Sequence, residues 1–310
     1  MSTPAGSSRL GLVQVSLAGI LWGTGGLGVQ VIREHEPMSV LTISAWRMGL
    51  AAVVLLAAVA LLRQAGDVAR LLRERPRPAL FAGVATGAYQ ALYFGSVVSV
   101  GVTVATVVSL GLAPVLVTAV ECLRDRRLPG RGSVGVLVLA VTGLVLVSST
   151  AGLGETGPRP VLGVVLAVLS GTTYALTTMV AESIAGTTTP LALTSVATAA
   201  GACALVPLGL WGARGDAPLV TTDPVVLVTL AYLGVFTMAL AYLLLYAGLR
   251  TTTGSAAVVA SLLEPVTAAV VAALVLDERL GAAGIVGTLL ILAAVAGLGR
   301  REAPPVPPPA

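Results

Sequence analysis

The sequence predicts an all-α integral membrane protein with ten transmembrane helices in two inverted five-helix repeats. Three observations carry that prediction: an extreme apolar composition, ten apolar runs of bilayer-spanning length, and a weak likeness between the two halves of the chain. Of 310 residues, 56% are hydrophobic and 10% charged, with a mean hydropathy of +0.97. Soluble domains run about 45–50% apolar and about 25% charged, so this chain cannot cover itself with a polar surface. Its length suits ten spans of roughly 20 residues with short joints, leaving no material for a soluble domain.

The apolar runs fall at 10–32, 39–62, 79–98, 102–121, 132–150, 160–184, 190–213, 225–248, 253–276 and 281–300. They are too long and too evenly apolar for the roughly ten-residue alternation of barrel strands, and in lipid only helices or closed barrels satisfy their own backbone. The first run exceeds a signal-peptide core, has only Arg9 before it among the arginines, and lacks a cleavage site, so it is expected to stay as a helix. The joints near Gly101 and Thr251 carry little polarity and are the least well marked boundaries. Between the second and third runs, Arg63 to Arg77 reads as a short amphipathic surface helix that docks on anionic headgroups.

All 18 basic residues are arginine, and their distribution sets the orientation. With the N-terminus inside, 13 fall in cytoplasmic segments and four (Arg33, Arg159, Arg214 and Arg279) outside, Arg47 lying within a span. Both termini are therefore expected in the cytoplasm of a bacterial inner membrane. Residues 1–9 form an N-terminal tail, 10–150 a first repeat, 160–300 a second, and 301–310 a proline-rich tail expected to be disordered. The net charge of +4 points to anionic lipid and not to nucleic acid, because the arginines sit in short joints and form no groove-sized face. Cys122 and Cys203 make no disulfide framework. With His35 the single histidine, no metal site is expected.

The repeat is carried by named residues. Leu10, Gly11, Val13, Leu17 and Gly19 recur as Leu162, Gly163, Val165, Leu169 and Gly171, which places Trp22 on Tyr174. Ala88-Tyr89-x-x-Leu92-Tyr93-x-Gly95 recurs as Ala241-Tyr242-x-x-Leu245-Tyr246-x-Gly248. Ala105, Val107, Val108, Leu112, Pro114 and Val115 recur as Ala256, Val258, Val259, Leu263, Pro265 and Val266, and Asp125, Leu128, Gly135 and Leu137 match Asp277, Leu280, Gly287 and Leu289. Five spans per half is an odd number, so the second half must enter the membrane from the opposite side.

In this order Trp22-Gly23, Arg47, the two Ala-Tyr strings, Glu264-Pro265 and Asp277-Glu278-Arg279-Leu280 make the chain resemble the drug/metabolite transporter superfamily, specifically its ten-helix EamA-type branch, from about residue 10 to residue 300. The resemblance implies a carrier of amino acids, amines or other metabolites, usually outward, with a central cavity between the halves. The first repeat departs from the pattern: Ala113-Pro114 stands where the second has Glu264-Pro265, and Arg126-Arg127 where it has Glu278-Arg279. Carboxylate chemistry at that level is one-sided.

Candidate residues follow from polarity at depth. Arg47 lies about 12 Å below the outer boundary by helical rise, and Glu264 lies near mid-depth. Each would cost about 2.5–3.5 kcal/mol facing lipid, so both are expected to face protein or water, either as a structural ion pair or in a substrate or proton role. Glu264 is the proton-coupling candidate, since Pro265 interrupts the hydrogen-bond ladder beside it. Trp22 and Tyr174 sit away from the interfacial belts, either packed with their donors satisfied or lining a wet cavity. Tyr89 with Gln90 joins them as a cavity candidate. Tyr93 and Tyr246 are gate candidates, with interfacial anchoring as the plainer reading.

Gly23-x-Gly25-x-x-Gly28 is not a dinucleotide fingerprint, because no strand precedes it. Gly19-x-x-x-Gly23 and Gly83-x-x-x-Gly87 read as faces for close helix approach, and the glycines at 23–28 as a stretch that could loosen the helix toward a cavity. Glu121 and Glu182, at expected cytoplasmic helix ends, need only solvent or arginine and are poor site candidates. No cofactor and no catalytic set is expected. The leading reading is a secondary transporter for a small organic metabolite, amino acid, amine or drug-like compound; a scaffold or an intramembrane enzyme is the alternative, and the sequence equips the enzyme with no nucleophile elbow or paired carboxylates. Proton coupling and a homodimer are compatible with the class.

Overall fold

The computed structural model describes residues 5–150, 158–214, 217–275 and 281–301. Its elements are helices throughout: α1 (Ala5–Gly23), α2 (Gly25–His35), α3 (Val40–Leu61), α4 (Ala65–Glu74), α5 (Pro76–Val100), α6 (Val102–Asp125), α7 (Arg131–Thr150), α8 (Pro160–Ala185), α9 (Pro190–Gly212), α10 (Pro224–Tyr232), α11 (Ala241–Gly248), α12 (Gly254–Ala260), α13 (Leu263–Val275) and α14 (Ala282–Arg301). A π-helical segment, Leu233–Leu240, joins α10 to α11.

Among the described residues, eight spans are long and apolar enough to cross a membrane, so the protein is a multi-pass membrane protein. Three of these spans are composite. The first runs from Arg9 to His35 across a break at Thr24, the seventh from Pro224 to Gly248 through the π segment, and the eighth from Gly254 to Val275 across Ser261-Leu262. Helix α5 covers the expected third run and α14 the tenth, but neither belongs to that set. The 25 residues of α5 include Thr86, Gln90, Ser96 and Ser99, which dilute its apolarity, and the apolar stretch of α14 is shorter, Ala282–Leu298.

Helix ends follow the local chemistry. Ser39 caps α3 by accepting from the Thr42 amide at 3.1 Å, Thr189 caps α9 through Ala192, and Asp223 caps α10 through Val225 and Val226. Proline opens α5, α8, α9 and α10, where a missing amide costs nothing. The faintly marked joint after the third run is a single residue: Gly101, at φ 96°, reverses the chain between α5 and α6 in a conformation that disfavours a side chain. The segment Arg63 to Arg77 contains α4, whose Leu71 is buried against the bundle.

Small residues let the helices approach. Helix α5 packs on α8 and α9, α7 on α14, α3 on α9, and α1 on α11. A Cβ added at Gly143 of α7 would lie 2.7 Å from the Gly287 carbonyl oxygen, and one at Gly287 would lie 2.6 Å from the Gly143 carbonyl oxygen. Both glycine pairs singled out in the sequence face a neighbouring helix. Gly19 packs on Ser261, Gly23 on Glu264 and Thr267, Gly83 on Ala197, and Gly87 on Gly201.

Asp277-Glu278-Arg279-Leu280 and the proline-rich tail from 302 onward lie outside the described residues.

Candidate functional site

A cavity of about 760 Å³ penetrates the bundle. Its mouth includes the exposed Arg33 and Glu34 at the end of α2, Val40 at the start of α3, and Val97 and Val102 on either side of the α5–α6 turn. Its depth holds Trp22, Arg47, Tyr89, Gln90, Tyr174, Tyr242 and Glu264. All six cavity candidates from the sequence therefore line one space.

The break at Thr24 shapes one wall. The Thr24 hydroxyl donates to the Leu21 carbonyl at 2.7 Å and sits 2.7 Å from the Tyr232 hydroxyl, while Gly23, Gly25 and Gly26 border the cavity without side chains to fill it. Close packing and a loosened helix thus coexist in this glycine stretch: Gly19 and Gly23 press on a neighbour, and the helix is interrupted one residue later.

Arg47 is 9% exposed and is held from the π segment. Its Nη2 donates to Thr237 Oγ1 at 3.1 Å and lies 3.7 Å from Met238 Sδ, and Thr237 donates in turn to the Leu233 carbonyl at 2.6 Å. A π segment changes which residues face inward within one span, and here it turns Thr237 and Met238 toward α3. Gly234 makes room, since a Cβ there would lie 2.7 Å from Leu50 Cβ. Among the described residues Arg47 forms no direct ion pair with Glu264; the two charges share the cavity without closing on each other. The ion-pair reading is therefore replaced by a guanidinium anchored on a threonine.

Glu264 enters at the first turn of α13, just after the break at Ser261-Leu262. Its amide donates to the Ser261 carbonyl at 2.9 Å, and Pro265, with no amide to offer, follows. The break also supplies Ser261 Oγ as acceptor for the Tyr174 hydroxyl at 2.9 Å. Tyr174 meets both sequence alternatives: it borders the cavity, and its donor is satisfied by another helix.

The aromatic residues form two chains. Trp22 meets Tyr242 edge-on with centroids 5.2 Å apart, and Tyr242 meets Tyr246 at 6.0 Å. Tyr174 stacks on Tyr89 at 5.1 Å, and Tyr89 on Tyr93 at 6.3 Å. The gate candidates stand differently. Tyr93 borders the cavity with its hydroxyl 2.7 Å from Thr106 Oγ1, whereas Tyr246 is 1% exposed and lies outside the cavity wall.

Sequence reading missed several groups. Tyr242 borders the cavity, and its correspondence to Tyr89 was a sufficient signal. Thr237 and Met238 had none, because the π segment that aims them leaves no mark in an apolar string. Glu121 and Glu182 depend on neither arginine nor solvent alone: Glu121 accepts from the Ser255 amide at 2.9 Å, and Glu182 accepts from the Gly254 backbone. Two other helices thus cap α12 from outside, alongside its own Thr253.

Among the described residues no group of three or more histidine, cysteine, aspartate or glutamate side chains is placed to hold a metal ion. The model of the EamA-like transporter family matches the chain twice, over residues 9–149 and 161–300. The chain is 30% identical over 279 residues to the uncharacterized transporter YwfM of Bacillus subtilis (strain 168), covering 90% of each. A protein of known crystal structure superposes with a TM-score of 0.76 over 96% of this chain and 99% of its own, at 18% identity, which speaks to the fold alone.

Proposed function

Because the chain belongs to the EamA-like transporter family, and is thus a membrane transporter and not an enzyme, we propose that it carries a small organic metabolite outward across the bacterial inner membrane by alternating access. The observation that carries this reading is the 760 Å³ cavity that holds Arg47 and Glu264 at depth and reaches exposed residues at one end of the bundle. A pocket of that size suits an amino acid, an amine or a drug-like compound. Aromatic walls contact its apolar body, and the two charges address its polar groups.

In this reading α5 and α14 also span, giving ten spans in two inverted repeats, 10–150 and 160–300, with residues 1–9 and 301–310 as cytoplasmic tails. Correspondences in the packing support it. Trp22 on Tyr242 and Tyr174 on Tyr89 are the same pair with the halves exchanged. So are Gly19 on Ala260 and Gly171 on Ser109, where added Cβ atoms would lie 3.3 Å and 2.5 Å from the carbonyl oxygens of those matched residues. Contacts that exchange halves let a second state be reached by repeating the same packing on the other side.

With both termini cytoplasmic, the mouth at Arg33 and Glu34 faces outward, and the tightly packed end around Tyr246 is the closed inner gate. Tyr93 is its outer counterpart, and Glu264 the site of proton exchange. The test is flux in proteoliposomes loaded with a panel of labelled amino acids, amines and small drugs, with and without a pH gradient. Saturable flux of one class, lost in Arg47→Ala and Glu264→Ala, is the expected result. A folded, reconstituted protein that moves none of the panel and stays equally accessible from one side in all conditions overturns the reading.

A further inference from the structure

A second hollow, of about 200 Å³, lies at the other end of the bundle from the cavity mouth. Helix α3 begins at the mouth with Val40 and ends about 33 Å away by helical rise. There α4 lies against the α8–α9 joint, with Arg70, Arg75 and Arg250 around the hollow and Thr188 in its wall. The geometry points to a binding site for the phosphodiester headgroup of an anionic membrane lipid.

Charge, shape and surroundings each argue for it. All three arginines are exposed, and among the described residues none forms an ion pair with Asp67 or Glu74, which also line the hollow. Three unpaired guanidinium groups around one concavity are a fork array for phosphate oxygens. The two carboxylates temper the field, which favours a monoanionic phosphodiester over free phosphate, whose charge near neutral pH lies between one and two. Acyl chains have a bed beside it: Leu61, Leu62 and Leu72 are 82%, 63% and 41% exposed. The walls are tied together, since Leu71 is buried and Thr189 Oγ1 in the α8–α9 joint donates to Gln64 Oε1 in the α3–α4 joint at 3.2 Å.

Position gives the site its effect. Helix α4 links α3, which carries Arg47, to α5, which carries Tyr89 and Tyr93, and Arg250 follows α11, which carries Tyr242 and Tyr246. A headgroup bridging Arg70 or Arg75 to Arg250 therefore straps helices from both parts of the chain at one end. This holds whether or not the transport reading does.

The experiment titrates the purified full-length protein in detergent with phosphatidylglycerol, phosphatidylcholine or inorganic phosphate, following thermal unfolding and bound lipid by native mass spectrometry. Arg70→Gln/Arg250→Gln is compared with Arg124→Gln/Arg127→Gln, a pair removed from the α6 end and the joint after it. Phosphatidylglycerol alone should stabilise the wild type. Its apparent affinity should fall at least about tenfold in the hollow variant and stay near wild type in the control. Equal loss in both variants means general surface attraction and overturns the site. An equal effect of phosphatidylcholine also overturns it, and an equal effect of inorganic phosphate overturns the lipid assignment. Should the hollow variant fold poorly, Arg70→Lys/Arg250→Lys retains the charge without the fork, and its affinity should lie between wild type and loss; wild-type affinity there overturns the fork.

Discussion

At the scale of single residues, the two deep charges behave as neighbours without being partners. Arg47 rests on Thr237 and Met238, so its position does not depend on Glu264. Glu264→Gln therefore leaves no broken pair behind, and membrane-inserted protein should remain within about twofold of wild type, where breaking a buried pair would cost about 3–5 kcal/mol. If Glu264 exchanges the proton, the same variant should lose the dependence of net flux on the pH gradient while retaining substrate exchange. Counterflow and gradient-driven flux, measured on one preparation, separate those two behaviours. Retention of pH-coupled flux would remove Glu264 from the coupling step.

At the scale of elements, interruptions matter as much as helices. The break at Thr24, the π segment and the break at Ser261-Leu262 each place a polar group next to residues that line the cavity: Thr24 between Gly23 and Gly25, Thr237 against Arg47, and Ser261 against Tyr174. Close helix approach has a separate test. Gly143→Leu would push a side chain into the Gly287 carbonyl, a backbone atom that cannot move aside, and should destabilise the detergent-solubilised protein by about 1–3 kcal/mol. Gly135→Leu on the same helix, with nothing within 4 Å of the added Cβ, is the control and should unfold within a degree or two of wild type. The two tyrosine ends should also respond differently. In the proposed arrangement, Tyr246→Ala removes a fully buried ring from the closed end and should admit an impermeant thiol reagent to a cysteine at Gln90 from that side, whereas Tyr93→Ala should not. Unchanged labelling in Tyr246→Ala would leave that ring as core packing.

At the scale of the whole molecule, orientation rests on charge. Thirteen arginines fall on the side assigned to the cytoplasm and four on the other, a bias set during insertion and independent of how the helices later pack. Once Cys122 and Cys203 are replaced, a cysteine at Arg73 should be shielded from an impermeant reagent in intact cells, and one at Arg159 should react. The reverse pattern would invert the topology and turn the cavity mouth inward, making the present conformation the inward-facing one.

By itself the sequence determined the solvent of the protein, the positions of its apolar runs and the residues worth watching. Those are consequences of composition and of polarity at depth, which are local properties of a string. Trp22, Arg47, Tyr89, Gln90, Tyr174 and Glu264 were all legible because a polar or aromatic group inside an apolar span stands out against its neighbours, and the repeat marked three of them, Trp22, Tyr89 and Tyr174. Tertiary structure alone decided that Arg47 is anchored by Thr237 and that Glu121 and Glu182 cap α12. It also decided that Tyr246 lies outside the cavity that Tyr93 borders. Each of these depends on a π segment, a helix break or a contact between distant residues. Such features arise where helices of nearly uniform apolar composition meet, and uniform composition carries no record of which faces will touch.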